Sequence, residues 1–256
     1  MTSLRNRTVM VTGASSGIGE ACARAFAAEG ARLVLVARRK DRLTALVNEL
    51  ADGMDTEAIA VELDVRDAGA VDATLAALPA EWRAVDVLVN NAGLGLGLGK
   101  LHESDVAWWE QMIDTNVKGL LYITRAVLPG MVERNEGHII NTGSVAGHWA
   151  YPKGNVYGAT KFAVNALSQG MKMDLLGLPI RVTSIDPGLV ETEFSVVRFR
   201  GDEGRAKKVY EGLTPMTPDD IAEAMVWAAT RPPHVNINNI IMMATDQSAP
   251  TMVHRK

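Results

Sequence analysis

The chain has 256 residues, of which 47% are hydrophobic and 22% charged, and its formal net charge at pH 7 is −4. This composition is ordinary for a globular protein with a large core, and it offers no basic surface for nucleic acid or an anionic membrane. No apolar run approaches the ~18 residues of a membrane span, and the N-terminus lacks the apolar core of a signal peptide, so we expect a cytoplasmic protein.

The cysteine and histidine contents narrow the chemistry further. The single cysteine, Cys22, excludes an internal disulfide and fits a reducing compartment. It falls in the first predicted helix, where we expect a packed apolar side chain rather than a reactive thiol. The five histidines show no HxxxH spacing and no paired carboxylates, so no metal site is expected.

Segments of strand length alternate with segments of helical length along the whole chain. The predicted strands lie near residues 8–12, 32–37, 58–63, 86–90, 137–143, 180–186 and 239–243, and the predicted helices near 17–29, 39–51, 67–78, 104–133, 155–177 and 218–230. Most strands are continuous apolar runs, as in a parallel sheet covered on both faces. The order predicts an α/β fold with one doubly wound parallel sheet of about seven strands, in a single domain over residues 1–256.

Two segments depart from this alternation. Residues 189–217 lack clear periodicity and contain three glycines, so we expect a long loop that is either functional or disordered. The polar tail 244–256 contains Pro250, and it either frays or reaches across a subunit contact.

A glycine-rich turn joins the first predicted strand to the first predicted helix. It has the spacing GxxxGxG and follows Thr12. A strand, a glycine turn and a helix together offer backbone N–H groups and a helix N-terminus to a pyrophosphate, although glycines also serve turns that hold no ligand. The candidate contacts in this turn are Gly13, Ser15, Ser16, Gly17, Ile18 and Gly19.

A second set of polar residues predicts proton transfer. Tyr157 and Lys161 are four residues apart in a predicted helix, so they share one face about 6 Å apart along the axis. A phenol has an ordinary pKa of about 10, and a cation one turn away lowers it. Tyr157 could then exchange a proton in the middle of the pH range, while Ser144 binds the same oxygen of the reacting group.

Together with Asn90-Asn91-Ala92-Gly93 after the fourth strand and Asn116 in DTNVKG, these motifs resemble the short-chain dehydrogenase/reductase family. The match runs in order from about Arg5 to the C-terminal tail. The resemblance implies a Rossmann sheet, an oxidoreductase acting on alcohol and carbonyl groups, and a segment 189–217 that covers the substrate.

The resemblance also implies a role for each candidate residue. Tyr157 would be the acid and base, Lys161 would lower its pKa and bind the nicotinamide ribose, and Ser144 would hold the substrate oxygen. Asn116 would open its helix locally to seat a water between Lys161 and solvent. The further implied cofactor contacts are Arg38, Arg39, Asp64, Val65, Asn91, Ala92, Gly93, Tyr157, Lys161, Pro187, Gly188, Val190 and Thr192. The start of a turn before Arg66-Asp67 explains Asp64 nearly as well.

The end of the second strand distinguishes the two nicotinamide cofactors. NAD sites usually carry an acid there for the ribose 2′-hydroxyl, but here Arg38 and Arg39 precede any acid. Their guanidinium groups could hold a 2′-phosphate by charge-assisted hydrogen bonds. The alternative is a solvated charge cluster, but cations at a helix N-terminus oppose its dipole. We therefore expect NADP(H).

The substrate is less well defined. Phrases such as GHIINTGSVAG, PGLVETEFS and VRFRGDEG resemble NADP-dependent 3-hydroxy acid dehydrogenases, whose substrates carry a carboxylate, while the tail matches that group only loosely. Lys153, Arg198 or Arg200 could bind the carboxylate, unless they are solvated surface charges. Trp149, Tyr151 and Phe194 could instead favour bulky ketones. The alternatives are a broad or specialised NADPH-dependent carbonyl reductase and, from a different class, a non-catalytic NADP(H)-binding sensor, which would not need Tyr157 and Lys161 together.

The resemblance finally implies a homotetramer, joined through the helices near 104–133 and 155–177 and through the last strand and helix. Long apolar stretches such as Val117–Val127 agree with this expectation, although a core helix would explain them equally well.

Overall fold

The computed structural model describes residues 2–256. Its strands are β1 Thr8–Thr12, β2 Arg32–Ala37, β3 Ala58–Glu62, β4 Val87–Asn90, β5 Gly137–Thr142, β6 Ile180–Pro187, β7 Asn239–Met242, β8 Gln247–Ala249 and β9 Met252–Val253. Its α-helices are α1 Gly17–Ala28, α2 Lys40–Met54, α3 Ala68–Ala76, α4 Val106–Ile113, α5 Leu120–Arg134, α6 Asn155–Asp174, α7 Glu193–Arg198, α8 Glu203–Lys208 and α9 Pro218–Ala229. No helix in this part of the chain is long and apolar enough to cross a membrane.

Seven strands form one sheet in the order β3-β2-β1-β4-β5-β6-β7, and every neighbouring pair is parallel. The chain winds outward from β1 in one direction and from β4 in the other. The predicted doubly wound sheet is therefore confirmed. In such a sheet the ligand crevice lies at the carboxyl ends of the strands, where the winding changes direction.

Alternate side chains of the central strands enter two separate cores. Val9 and Val11 of β1 pack with residues of α1, α2 and α9, whereas Met10 between them packs with residues of α3 and α5. The period of two follows from the pleat of a strand. Both faces of the sheet are covered, which explains why the strand sequences read as continuous apolar runs.

The long helix predicted near 104–133 is interrupted. A π-helical turn, Asp114–Gly119, separates α4 from α5 and contains the buried Asn116. Such turns widen a helix locally and often occur at functional sites. The interruption agrees with the local opening that the family resemblance implies for Asn116.

The expectation of a long loop over residues 189–217 is partly wrong, because this segment contains α7 and α8. Thr192 accepts a hydrogen bond from the Phe194 N–H, and Asp202 accepts one from the Arg205 N–H, so each helix has a side-chain N-cap. Two helices of six residues each are too short to show an apolar period, and only their capping residues indicate them in the sequence.

The tail 244–256 folds back onto the same segment. Strands β8 and β9 form an antiparallel pair, and the Lys256 N–H donates to the Gly212 carbonyl at 2.7 Å. The Thr214 N–H donates to the Asp246 carboxylate at 3.0 Å. Within one chain, the tail thus supports the end of segment 189–217.

Thr12 joins β1 to the segment after β4. Its hydroxyl is buried and accepts from the N–H groups of Asn91 and Ala92, each at 3.0 Å. The Asn91 side chain donates back to the Thr12 carbonyl at 3.1 Å. These bonds hold the NNAG segment beside the glycine turn.

Replacing Thr12 by Val would leave the Ala92 N–H without its acceptor and the Asn91 N–H with only the Val89 carbonyl, at 3.1 Å. One unsatisfied buried group costs on the order of 1–3 kcal/mol. We expect Thr12→Val to lower the free energy of unfolding by about 2 kcal/mol, measured by urea denaturation. Thr12→Ser keeps the hydroxyl and should stay within about 1 kcal/mol of the wild type. Equal stability of the Val and Ser variants would contradict this role.

Candidate active site

The carboxyl ends of β1, β4, β5 and β6 open into a cleft of about 340 Å³. Every predicted cofactor residue except Gly19 lines this cleft, and so does Ser144. These residues are Gly13, Ser15, Ser16, Gly17, Ile18, Arg38, Arg39, Asp64, Val65, Asn91, Ala92, Gly93, Ser144, Tyr157, Lys161, Pro187, Gly188, Val190 and Thr192. Residues that are far apart in sequence are thus collected at one edge of the sheet.

The glycine turn leaves room for a ligand at the start of α1. Gly13 and Gly17 have φ angles of +68° and +55°, which glycine adopts without strain. A β-carbon on Gly19 would lie 2.3 Å from the Gly13 carbonyl oxygen, so Gly19 permits close packing of the turn rather than lining the cleft. The free amides and helix N-terminus fit the pyrophosphate of a dinucleotide.

Arg39 lies against this turn. Its guanidinium donates to the hydroxyls of Ser15 at 3.1 Å and Ser16 at 2.6 Å, and to the Glu193 carboxylate at 2.9 Å. Arg38 lines the same cleft. Two guanidinium groups beside two serine hydroxyls fit the 2′-phosphate that distinguishes NADP from NAD.

Asp64 lies in the cleft and also begins the turn after β3. It lines the cleft, and its carboxylate also accepts from the Arg66 guanidinium at 2.6 Å in the turn after β3. The hydrogen bond from Arg66 is the largest cause of its lowered pKa, and the charge of Arg38 adds to it. Asp64 is therefore ionised at neutral pH and can accept hydrogen bonds.

Lys161 is buried on the cleft side of α6. Its ammonium donates to the Thr142 carbonyl at 2.8 Å and lies 5.9 Å from the centre of the Tyr157 ring. Burial lowers the pKa of Lys161 to about 8, and the charge of Asp186 opposes this fall. Lys161 therefore remains mostly charged near neutral pH.

The pKa of Tyr157 lies above its ordinary value in this structure, which corrects the expected lowering. Burial is the largest cause, because desolvation disfavours the phenolate. The charge of Arg198 and the hydrogen bond with Ser144 act in the opposite direction, while Asp186 adds to the rise. The cation that lowers the Tyr157 pKa here is thus Arg198, whose guanidinium lies 4.7 Å over the ring.

Ser144 follows β5 and caps a 3₁₀ turn, Val145–Gly147. Its hydroxyl accepts from the Ala146 N–H at 3.1 Å and donates to the Pro187 carbonyl at 3.4 Å. These contacts fix the hydroxyl in the cleft beside Tyr157. Two hydroxyls can therefore bind one oxygen of a substrate there.

Asn116 binds the backbone of the loop beside the site. Its side-chain oxygen accepts from the Leu94 N–H and its amide donates to the Leu94 carbonyl, both at 2.8 Å. The amide also donates to the Thr160 hydroxyl at 3.0 Å. Asn116 thus joins the loop after β4 to α6, and it does not line the cleft itself.

Asp186 is a member of the site that the sequence analysis missed. It is fully buried, accepts from Ser184 at 2.5 Å and Asn239 at 2.6 Å, and pairs with His148. A β-carbon on Gly143 would overlap its carboxylate, so the acid lies directly behind the segment that carries Ser144. The sequence signal that points to Asp186 is an acidic residue in an otherwise apolar strand, directly before Pro187.

A smaller cavity adjoins the other side of Tyr157. It is lined by the glycine-rich loop after β4, by the tryptophans of α4, and by Tyr151, Lys153 and Arg198. Lys153 and Arg198 are its only charged lining residues, so no acid faces them. The Nε atom of Arg198 is buried and has no hydrogen-bond partner. An unsatisfied buried donor beside Tyr157 favours an anionic ligand. The cavity of about 10 Å³ holds about one water, so the surrounding side chains must move to admit a larger anionic group.

The predicted substrate residues differ in their positions. Lys153 and Arg198 line the small cavity, and Phe194 lines the main cleft with its ring 5.6 Å from that of Tyr157. Trp149 lines neither cavity. It is 42% exposed and its ring packs beside His148, so its position does not support the predicted substrate contact.

Comparisons with known proteins agree with this geometry. The model of the short chain dehydrogenase family matches residues 7–202. The NADP-dependent 3-hydroxy acid dehydrogenase YdfG of Salmonella typhi is 55% identical over 249 residues, which cover 96% of this chain and 99% of the relative. The sulfoacetaldehyde reductase of Chromohalobacter salexigens is 48% identical and covers 94% of each chain.

Among solved structures, the closed form of serine dehydrogenase complexed with NADP+ superposes with a TM-score of 0.91. It is 52% identical and covers 97% of this chain and 100% of that one. The chain belongs to the short-chain dehydrogenase family and is an oxidoreductase. The predictions of family, fold and enzyme class are confirmed.

Asp186 provides a test of the electrostatics. Removing its negative charge favours loss of a proton both from Tyr157 and from Lys161, so both pKa values should fall. For alcohol oxidation, which needs the Tyr157 phenolate, we expect Asp186→Asn to move the rising limb of the kcat/KM profile to lower pH. The falling limb should move in the same direction, because both pKa values fall.

Ser184→Ala is the matched control, because it removes one hydrogen bond to Asp186 but keeps the charge. Its pH profile should stay where the wild-type profile lies. A rising limb that moves to higher pH in Asp186→Asn would contradict the electrostatic role.

Proposed function

We propose that the protein is an NADP-dependent dehydrogenase that interconverts small 3-hydroxy acids and their carbonyl products. The observation that carries the substrate class is Arg198, with its buried, unpartnered Nε beside Tyr157 in a cavity without acids. The 3-hydroxy acid dehydrogenase named among the relatives, at 55% identity over nearly the whole chain, supports the same conclusion.

The positions of the side chains provide a mechanism. The substrate carboxylate would bind Arg198, and its hydroxyl would lie between Ser144 and Tyr157. Bound NADP+ would accept a hydride from the carbinol carbon. As the carbonyl forms, the Tyr157 phenolate takes the hydroxyl proton, and the Ser144 hydroxyl donates to the same oxygen. Arg198 favours the phenolate through its charge, and Lys161 keeps a positive charge 5.9 Å from the centre of the Tyr157 ring. Reduction runs through the reverse steps.

NADP is favoured over NAD by Arg38 and Arg39 at the end of β2, and by the NADP-dependent relatives. Arg38 is the cleaner target, because Arg39 also contacts the glycine turn. We expect Arg38→Ala to lower the ratio of kcat/KM for NADP+ to that for NAD+ by at least about tenfold, the loss of one charge-assisted hydrogen bond. An unchanged ratio would argue that the arginine is only a solvated charge.

The substrate class is tested with a panel measured by NADPH formation. L-Serine, L-allo-threonine and 3-hydroxyisobutyrate should be oxidised, and uncharged alcohols of the same size should not. Arg198→Gln should raise the KM of the acids by about tenfold or more, because it removes a charged partner, and should change the KM of an uncharged alcohol little. Lys153→Gln is the matched control, because it removes the other positive charge that lines the same cavity.

Two other results would redirect the assignment. Strong NADPH-dependent reduction of uncharged ketones with no oxidation of acids would favour the alternative of a broad carbonyl reductase. Preference for a sulfonate aldehyde would agree with the sulfoacetaldehyde reductase among the relatives, and the same arginine would then bind a sulfonate. A non-catalytic sensor is disfavoured, because the site contains both Tyr157 and Lys161.

We further propose a cytoplasmic homotetramer. Support comes from exposed apolar side chains on the helices named for the interface: Leu121 in α5, and Phe162 and Met173 in α6. Trp227 in α9 and Ile241 in β7 are also exposed, at the second predicted contact. A subunit contact would remove these side chains from water.

The assembly is tested by light scattering on the purified protein. A mass of four chains, near 110 kDa from about 27.5 kDa per chain, is expected. A monomer at micromolar concentration would refute the tetramer. Phe162→Glu should reduce the assembled fraction, because it would place a charge in the interface.

A further inference from the structure

The short helix α7 connects the two ligand sites of the proposed function. Glu193 is its first residue and Arg198 its last. They are five positions apart in the sequence, so the two ends lie about 7.5 Å apart along the axis. One end contacts Arg39, one of the two arginines proposed for the 2′-phosphate, and the other carries the arginine proposed for the substrate carboxylate.

The first end is fixed by ion pairs. The Glu193 carboxylate accepts from Arg39 at 2.9 Å through one oxygen and from Arg42 at 2.8 Å through the other. Hydrogen bonds from both arginines lower the pKa of Glu193, so it is ionised at neutral pH. Arg39 in turn contacts the serine hydroxyls of the glycine turn. The orientation of Arg39 and the position of α7 thus depend on the same carboxylate.

Packing supports the same connection. Thr192 caps α7, and a β-carbon on Gly17 would lie 3.3 Å from the Thr192 side chain. The first turn of α7 therefore lies against the glycine turn with little free space. A shift of this contact moves the helix as a unit.

The other end of α7 lies over the reacting groups. The Arg198 guanidinium stacks on the rings of Tyr157 and Phe194 at 4.7 and 4.8 Å, and the Gly97 N–H donates to the Arg198 carbonyl at 3.0 Å. Phe194 and Arg198 belong to the same helix as Glu193. Any displacement of α7 therefore changes both sides of the substrate position.

We propose that Glu193 is a positioning residue that couples the two ligands: by holding Arg39 and Arg42 it places α7, so that binding of the 2′-phosphate of NADP and binding of an acidic substrate strengthen each other. The inference rests on the proposed function. NAD lacks the 2′-phosphate and gains little from this coupling. Cofactor selectivity would then appear in substrate affinity as well as in cofactor affinity.

The coupling is measured in a complex that cannot react, NADPH with the 3-hydroxy acid that the panel oxidises fastest. The Kd of NADPH is titrated by its fluorescence with and without saturating acid. In the wild type we expect the acid to lower the Kd of NADPH by at least about fivefold, the usual lower bound for coupled sites, and to lower that of NADH less. In Glu193→Gln the two Kd values should agree within about twofold, while each ligand alone still binds.

Two further variants distinguish the specific link from a general loss of structure. Arg42→Gln removes half of the contact without touching Arg39, and should reduce the coupling in part, even if Glu193→Gln does not fold. Glu49→Gln removes a comparable exposed pair with Arg24, remote from α7, and should keep the wild-type coupling.

Different results would overturn the proposed function and the proposed role of Glu193. If no acid is oxidised, the proposed function is wrong. If acids are oxidised but the wild type shows no coupling, or if Glu193→Gln and Arg42→Gln keep all of it, the proposed function stands and the role of Glu193 is overturned.

Discussion

The burial of the Tyr157 phenol is the constraint on which the site depends. Tyr157 is half-buried in the wall of the cleft, and this desolvation raises the pKa of the group that must exchange a proton. The surrounding residues oppose this cost. The Ser144 hydroxyl and the Arg198 guanidinium both favour the phenolate, and Lys161 keeps its charge close by although burial lowers its own pKa to about 8.

This arrangement gives Arg198 two functions in one place. In the structure its charge acts on the Tyr157 ring, while its buried Nε still lacks a partner. A substrate carboxylate would satisfy that donor and would bring the hydroxyl of a short acid close to Ser144. Arg198 lies on α7, whose first residue contacts Arg39 of the cofactor cleft, and the proposed coupling of the two ligands follows from this connection.

Much of this could be predicted from sequence, because the constraints are local. The buried parallel strands are apolar runs, and residues at their carboxyl ends must meet in the fold. The glycine turn, the NNAG segment, Ser144 and Tyr157 therefore converge as expected. The spacing of Tyr157 and Lys161 fixes a shared helix face.

Other features depend on tertiary contacts that no local pattern contains. Helices α7 and α8 are too short to show a period, so the segment appeared irregular. Asp186 and Glu193 gain their importance from partners far away in sequence. The direction of the Tyr157 pKa depends on how far the fold removes the phenol from water, whereas the sequence indicated only the nearby lysine. Trp149 is predicted to contact the substrate, but the fold places it at the surface.

The most direct test of the account is a crystal structure of Tyr157→Phe, which should bind but not turn over, with NADP+ and a 3-hydroxy acid. The account predicts the carboxylate within hydrogen-bond distance of the Arg198 guanidinium and the hydroxyl oxygen within hydrogen-bond distance of Ser144. A carboxylate bound elsewhere, with Arg198 still unpaired beside the ring at position 157, would contradict it.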